Sequence, residues 1–245
     1  MPENRLRAYD MRSLVTALAD TGTVLELRAG FGAGIVTALL RIEGRPFALM
    51  ANNPRHLGGA IDPEAADKAA RFMQLAEAHG LPLVSLCDTP GFMVGPEVER
   101  QAQVRHACRM FVNAARLTVP CFTVVVRKGY GLGAQAMALG GFDAPVFTVA
   151  WPSGEFGAMG LEGAVRLGFR KELEALPAGA ARDALYAELV ARQYANGSAL
   201  NMAQTLEIDA VIDPADTRGW LLRGLAGCSR GSAPRPVGSR GLDVW

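Results

Sequence analysis

The apolar positions change period several times along the chain. Tyr9, Leu14, Val15 and Leu18 fall near one face of a helix, and Asp20-Thr21-Gly22 ends it. Residues 23–27 read as a strand. A glycine-rich turn follows, Gly30-Phe31-Gly32-Ala33-Gly34, and then two apolar runs, Ile35–Ile42 and 46–51, joined by Glu43-Gly44, predict a hairpin. The strand period stops at Asn52-Asn53-Pro54. A small loop over 56–61 leads into Asp62-Pro63-Glu64, which has the marks of a helix start: an Asp cap, proline at the first helical position and acid in the first turn. That helix is expected to run to about His79 and to stop at Gly80.

The unit then recurs. Residues 83–87 form a short buried strand, broken by Asp88-Thr89-Pro90-Gly91-Phe92, and a long helix is expected over 97–117. Residues 120–126 give a second buried strand, 128–134 a second glycine loop, and 134–139 a helix of small residues. A third strand is expected at 145–150, ended by Trp151-Pro152, then a glycine-rich loop and short helix within 154–168. Further helices are predicted at 180–193 and 214–226. Strand, loop and helix in series imply a parallel sheet with right-handed crossovers. Open sheets of this kind place ligands at the carboxyl ends of their strands, where the glycine loops fall. The pattern fits one α/β domain over residues 1–226 with a flexible tail, 227–245, rich in Gly, Ser, Pro and Arg.

Composition narrows the function classes. Twenty-five basic residues face 24 acidic ones, so net charge gives no reason to invoke nucleic acid or an anionic membrane. No apolar run approaches the roughly 18 residues of a membrane span. Acidic Glu3 and Asp10 among the early arginines argue against a leader, and the expected location is cytoplasmic. Cys87, Cys108, Cys121 and Cys228 have no metal-ligand spacing and read as free thiols. His56, His79 and His106 are too scattered for a metal motif, so no metal is expected.

What remains for chemistry is the backbone. Histidine lies in no nucleophile motif, and no phosphate-binding loop of the Walker type occurs. Gly30-x-Gly32-x-Gly34 precedes a strand, not a helix, which removes the dinucleotide reading. At Gly91 a missing Cβ lets the peptide lie close to a ligand. Tyr130-Gly131-Leu132-Gly133-Ala134 ends at a helix start, whose first N–H groups have no intrahelical partner and suit an oxyanion. Two such loops on neighbouring strands would supply converging donors. Taken singly, each glycine loop is as readily a matter of turn geometry.

Five separated motifs stand in one order: Asn52-Asn53-Pro54-Arg55-His56-Leu57-Gly58-Gly59-Ala60-Ile61-Asp62, Ala65 to Phe72, Asp88 to Phe92, Arg127-Lys128-Gly129-Tyr130-Gly131, and Ala150-Trp151-Pro152 with Met159-Gly160 and Gly163-Ala164. Over roughly residues 1–226 this order resembles the C-terminal half of the carboxyltransferase (beta) subunit of biotin-dependent acyl-CoA carboxylases such as the propionyl-CoA and acetyl-CoA enzymes. The resemblance implies a crotonase-like spiral of ββα units. It also implies transfer of a carboxyl group from carboxybiotin to the α-carbon of an acyl-CoA, by release of carbon dioxide, deprotonation by the ureido group and attack of the enolate. The C-terminal half binds biotin, so by motif the oxyanion donors fall around Leu132 and Gly133. Gly91, Phe92, Gly131 and Ala134 form the pocket, and Gln135 stands at a position that varies with acyl preference.

Two departures follow from the same comparison. The acyl-CoA-binding half is not in this chain, so the implied partners are acyl-CoA, a separate N-terminal-half subunit or further copies of the chain, and a biotin carboxyl carrier protein. Biotin must arrive on that carrier, since no Met-Lys-Met attachment motif occurs. Where many relatives read Tyr-Gly-Gly-Ala, this chain inserts Leu132. Other readings keep the fold: a crotonase-type decarboxylase or hydratase using carboxylates such as Glu97, Glu99 or Glu155, or a non-catalytic assembly subunit.

Overall fold

The structure, a computed structural model, describes residue 4 and residues 7–228. In chain order the elements are α1 (Arg12–Leu18), β1 (Leu25–Leu27), β2 (Ile35–Ile42), β3 (Arg45–Asn52), α2 (Pro63–Ala78), β4 (Leu83–Thr89), α3 (Pro96–Arg100), α4 (Gln103–Ala114), β5 (Cys121–Tyr130) and α5 (Gly131–Met137). There follow β6 (Phe147–Ala150), β7 (Glu155–Gly157), α6 (Leu161–Gly168), α7 (Arg170–Glu174), α8 (Ala180–Asn196), α9 (Ala199–Gln204), β8 (Ala210–Val211) and α10 (Thr217–Gly227). The tail predicted from residue 227 falls, beyond Cys228, outside the described residues.

One sheet runs in the order β1-β2-β3-β4-β5-β6-β8. β1, β2 and β3 pair antiparallel as the predicted hairpin, and from β3 onward every pairing is parallel. β5 serves two neighbours: Phe122 to Val125 pair β6, and Lys128 to Tyr130 pair β7. Strand alternation sorts the core into two layers. Ala48, Met50, Leu83, Cys87 and Val125 meet α2, α4 and α5, while Leu49, Ala51, Val84, Leu86 and Val124 meet α1 and α10.

The predicted cap of α2 forms. Asp62 Oδ1 accepts from the Ala65 N–H at 2.8 Å, and Pro63 opens the helix. Two expectations fail for identifiable reasons. The helix predicted over 97–117 breaks at Ala102, which lies in the left-handed region at φ 58°. The break turns α4 so that the buried Gln103 side chain donates to Ile61 O at 2.9 Å. The predicted loop over 128–134 is not a loop. Lys128, Gly129 and Tyr130 continue β5 against β7, a strand the glycine-rich sequence concealed, and the helix begins at Gly131 rather than Ala134.

Lys68 on α2 is the least expected core residue. It is 1 % exposed, and its Nζ has one long hydrogen bond, to Gly32 O at 3.4 Å. Burial brings its pKa from 10.5 down to about 8. The unfolded chain therefore binds this proton more tightly than the folded one. The cost of burying the ammonium is fully present below pH 8 and is relieved as pH rises from about 8 to 10.5. Lys68→Met should accordingly raise the melting temperature at pH 7, with the gain shrinking towards pH 10. A lower melting temperature at pH 7 would show that the ammonium is stabilised where it lies.

Candidate functional site

The site forms where β4 and β5 leave the sheet. β4 carries an irregularity between Cys87 and Thr89, and the chain then turns through Pro90 and Gly91. Gly91 has φ 121°, a conformation that disfavours any Cβ. Its ends are fastened: Ile61 N–H donates to Gly91 O at 3.0 Å, and Met93 N–H donates to Ile61 O at 2.9 Å. The Gly91 N–H itself donates to Thr89 Oγ1 at 3.1 Å. Of the two loops expected to supply converging donors, the first therefore offers close approach but not its Gly91 hydrogen.

The second element is the start of α5. Gly131, at φ 57°, packs so tightly that a Cβ there would sit 2.7 Å from Ala158 O. A Cβ on Gly133 would lie 2.7 Å from both Gly91 Cα and Gly91 C, and 3.0 Å from Phe92 N. The two glycine elements thus touch backbone to backbone. The N–H groups of Leu132 and Gly133 precede the first i→i−4 bond of the helix, and neither donates to a loop carbonyl or a side chain among the described residues.

The predicted residues divide accordingly. Gly91, Gly133 and Ala134 are buried, the first two in contact, with Gly131 and Phe92 half-buried beside them. Phe92 packs on Phe111, ring centroids 6.4 Å apart. Leu132, 63 % exposed, turns its side chain outward, so the inserted leucine does not fill the contact between the loops. Gln135 is also exposed, on the first turns of α5. Of the three acids weighed for hydration chemistry, Glu97 and Glu99 lie exposed on α3, with Glu97 paired to Arg100. Glu155 accepts from the Tyr130 hydroxyl at 2.8 Å. Burial, then Glu155, pushes the Tyr130 hydroxyl above its ordinary range.

Beneath the loops lies a network that no spacing revealed. Asp88 is fully buried and accepts from Tyr9 OH at 2.7 Å, Arg127 Nε at 3.0 Å and Lys128 N at 3.2 Å. Arg127 stacks over the Tyr9 ring at 4.9 Å and donates to Arg7 O at 3.0 Å. Lys128 Nζ reaches Gly58 O at 2.7 Å, and burial lowers its pKa against the pull of Asp88. Gly59, at φ 94°, leaves no room either: a Cβ would lie 2.3 Å from Asp88 O. The 53–61 loop, the end of β4 and the end of β5 are therefore one interlocked unit.

Comparison with known proteins gives this arrangement its family. The sequence matches the carboxyl transferase domain family over residues 1–235. The chain belongs to that family. It is 36 % identical over 242 residues to the methylmalonyl-CoA carboxyltransferase 12S subunit of Propionibacterium freudenreichii subsp. shermanii, covering 98 % of this chain and 45 % of that one. To the beta6 subunit of a biotin-dependent acetyl-/propionyl-coenzyme A carboxylase from Mycobacterium tuberculosis it is 38 % identical over 229 residues, covering 92 % of this chain and 48 % of the other. Among solved structures, transcarboxylase 12S with methylmalonyl-coenzyme A and methylmalonic acid bound, described as a hexamer assembly, superposes with a TM-score of 0.85 at 35 % identity, over 96 % of this chain and 46 % of that one. A single-chain, multi-domain long-chain acyl-CoA carboxylase is 60 % identical at a TM-score of 0.83, over 91 % of this chain and 22 % of the other.

Carboxyl transferase domains have the crotonase-like fold, which is the fold found here. The chain spans less than half the length of these relatives. No helix among the described residues is long and apolar enough to cross a membrane.

Proposed function

We propose that this carboxyl transferase domain supplies the biotin-side half-site for moving a carboxyl group from carboxybiotin to the α-carbon of an acyl-CoA. The observation that carries the reading is the contact of Gly133 with Gly91 and Phe92, which puts the unspent first-turn peptides of α5 against a second backbone wall. A planar ureido group would lie along this joined backbone surface, a slot whose shape depends on the close contact that a Cβ at Gly133 would force apart. Bound biotin would supply the transferable carboxyl and a carbonyl oxygen.

The chain's own part is electrostatic. N–H groups of Leu132 and Gly133, at the positive end of α5, hold charge at that oxygen as it develops. Gly91 and Phe92 close the slot and exclude water, and Gly131 and Ala134 set the path of the turn. The 53–61 loop, locked by Lys128 and Gly59, keeps the donors from relaxing. Gln135, exposed beside the donors, is the residue of this chain proposed to sense the acyl group. Acyl-CoA itself is to be bound by a separate N-terminal-half subunit or a further copy, with biotin brought on its carrier protein. The four unpaired thiols agree with a cytoplasmic setting.

Reconstitution tests this. The chain, a biotinylated carrier loaded with labelled carboxyl, and a candidate acyl-CoA-binding half should co-elute and transfer label to acyl-CoA. A chain that elutes alone and never accelerates loss of the label would overturn the reading. Enoyl-CoA hydration abolished by Glu155→Gln would replace it with hydratase chemistry. Complex formation with activity indifferent to the 131–134 segment would leave only an assembly role.

A further inference from the structure

A second concavity lies at the carboxyl end of β3, where the N-terminal segment crosses it. It has a volume of about 310 Å³ and is lined by Asp10, Arg12, Ala33, Asn53, Arg55 and His56. It contains none of Gly91, Phe92 or residues 131–135.

Its walls are built and largely pre-paired. Arg12 donates to both oxygens of Glu26, from Nε at 2.8 Å and Nη2 at 2.7 Å, and so is held in place. His56 is held by its Nε2, 2.8 Å from Asp62 Oδ2. Asn53 is only 4 % exposed. Its side-chain oxygen takes the N–H groups of Met11 and Arg55, each at 3.4 Å. That arrangement assigns the oxygen and leaves Nδ2 as a donor with no partner among the described residues. Arg55 stands at the rim, its side chain 68 % exposed, with one loose ion pair to Asp10 at 3.7 Å.

The surrounding charges are paired across both signs. Arg12 and Arg28 are near enough to Lys68 to disfavour its proton, with Glu26 opposing them. Lys68 Nζ lies against Gly32 O, next in the chain to the Ala33 wall. The lining itself carries two guanidiniums, Arg12 and Arg55, which share the Asp10 carboxylate, with Glu26 holding Arg12 and His56 held by Asp62. Asp62 is also engaged at the positive end of α2. The cavity thus offers an amide donor without a hydrogen-bond partner on a buried side chain and, at its rim, an exposed guanidinium held only by a loose ion pair. That combination suits a small oxyanion, held by a guanidinium fork and an amide.

We propose that this cleft is a binding site for an oxyanion of the phosphate or carboxylate class, formed by Asn53 and Arg55 over a floor set by Arg12 and His56. The site shares no residue with the carboxyl-transfer slot.

Inorganic phosphate and acetate are the probes, each titrated into the full chain by calorimetry, with ionic strength held constant in chloride. Saturable one-site binding is expected, weakened about tenfold by Arg55→Gln, which removes a charged donor from an exposed side chain. Asn53→Asp, nearly isosteric, should abolish binding by turning the amide donor into a carboxylate. Preference for phosphate over acetate, or the reverse, identifies which ligand group the cleft serves. No saturable binding of either probe, or equal affinity in the wild type and Arg55→Gln, would overturn the proposal. Because Arg55→Gln alters only an exposed side chain, its result is read even if Asn53→Asp fails to fold.

Discussion

Gly133→Ala should cost at least about 100-fold in carboxyl transfer by the reconstituted assembly, while Leu132→Ala leaves most of the activity in place. The two substitutions are adjacent, so the contrast is informative. Leu132 is proposed to act through its peptide, and its side chain points outward at 63 % exposure. Trimming it changes no donor. At Gly133 the new methyl would have to share space with Gly91 Cα and C at 2.7 Å, and backbone cannot rotate aside as a side chain can. The loops must part by several tenths of an ångström, and the donors move with them.

Helix propensity argues the other way, since alanine is favoured over glycine inside a helix by about 0.5–1 kcal/mol. Overpacking of about 1–3 kcal/mol outweighs it. The variant should therefore also unfold at lower denaturant than the wild type. A Gly133→Ala protein that is more stable and fully active would mean that the two elements are not in contact in solution, and the proposed slot would go with them. Leu132→Pro completes the set: it removes the hydrogen rather than the side chain, and the loss of activity should match that of Gly133→Ala.

The parts of this arrangement that were legible in sequence are those with local signatures. The hairpin of β2 and β3, the capped start of α2 at Asp62 and the buried strand at β4 each follow from period, turn residues or a cap within a few positions. Gly91 and Gly133 were legible as glycines that some close approach requires, and the structure shows that they approach each other. What sequence reasoning missed is tertiary. β7 is three residues long and exists because the second half of β5 outruns β6 and needs a partner. The left-handed Ala102 is set by where Gln103 finds an acceptor, 42 positions away at Ile61. The apolar spacing counts Tyr9 as one more position on a helical face, yet it lies before α1 and spends its hydroxyl on Asp88, 79 positions on. No periodicity carries such a partner.

That partner is the basis of the second large effect. Asp88→Ala should destabilise the fold by about 3–5 kcal/mol, because the buried carboxylate is the counter-charge for a buried guanidinium. Arg127 is 4 % exposed and keeps a bond to Arg7 O, but loses Asp88 Oδ2 at 3.0 Å. Tyr9 OH and Lys128 N lose their acceptor at the same moment. Tyr9→Phe, which removes one neutral donor to the same carboxylate, should cost only about 1 kcal/mol.

Two further variants separate charge from packing. Asp88→Asn keeps the shape and should recover little, since the ion pair between the guanidinium and the Asp88 carboxylate is still lost. Asp88→Ala combined with Arg127→Met removes both charges and should regain part of the loss, as replaced buried pairs often do. Denaturant unfolding of the four proteins, read as midpoint at unchanged slope, measures each step. A cost below about 1 kcal/mol for Asp88→Ala would show that the pair is solvated and that the ends of β4 and β5 are not interlocked through it. The functional reading would then lose its rigid support, because Thr89, which fixes the Gly91 turn, follows Asp88 directly in the chain.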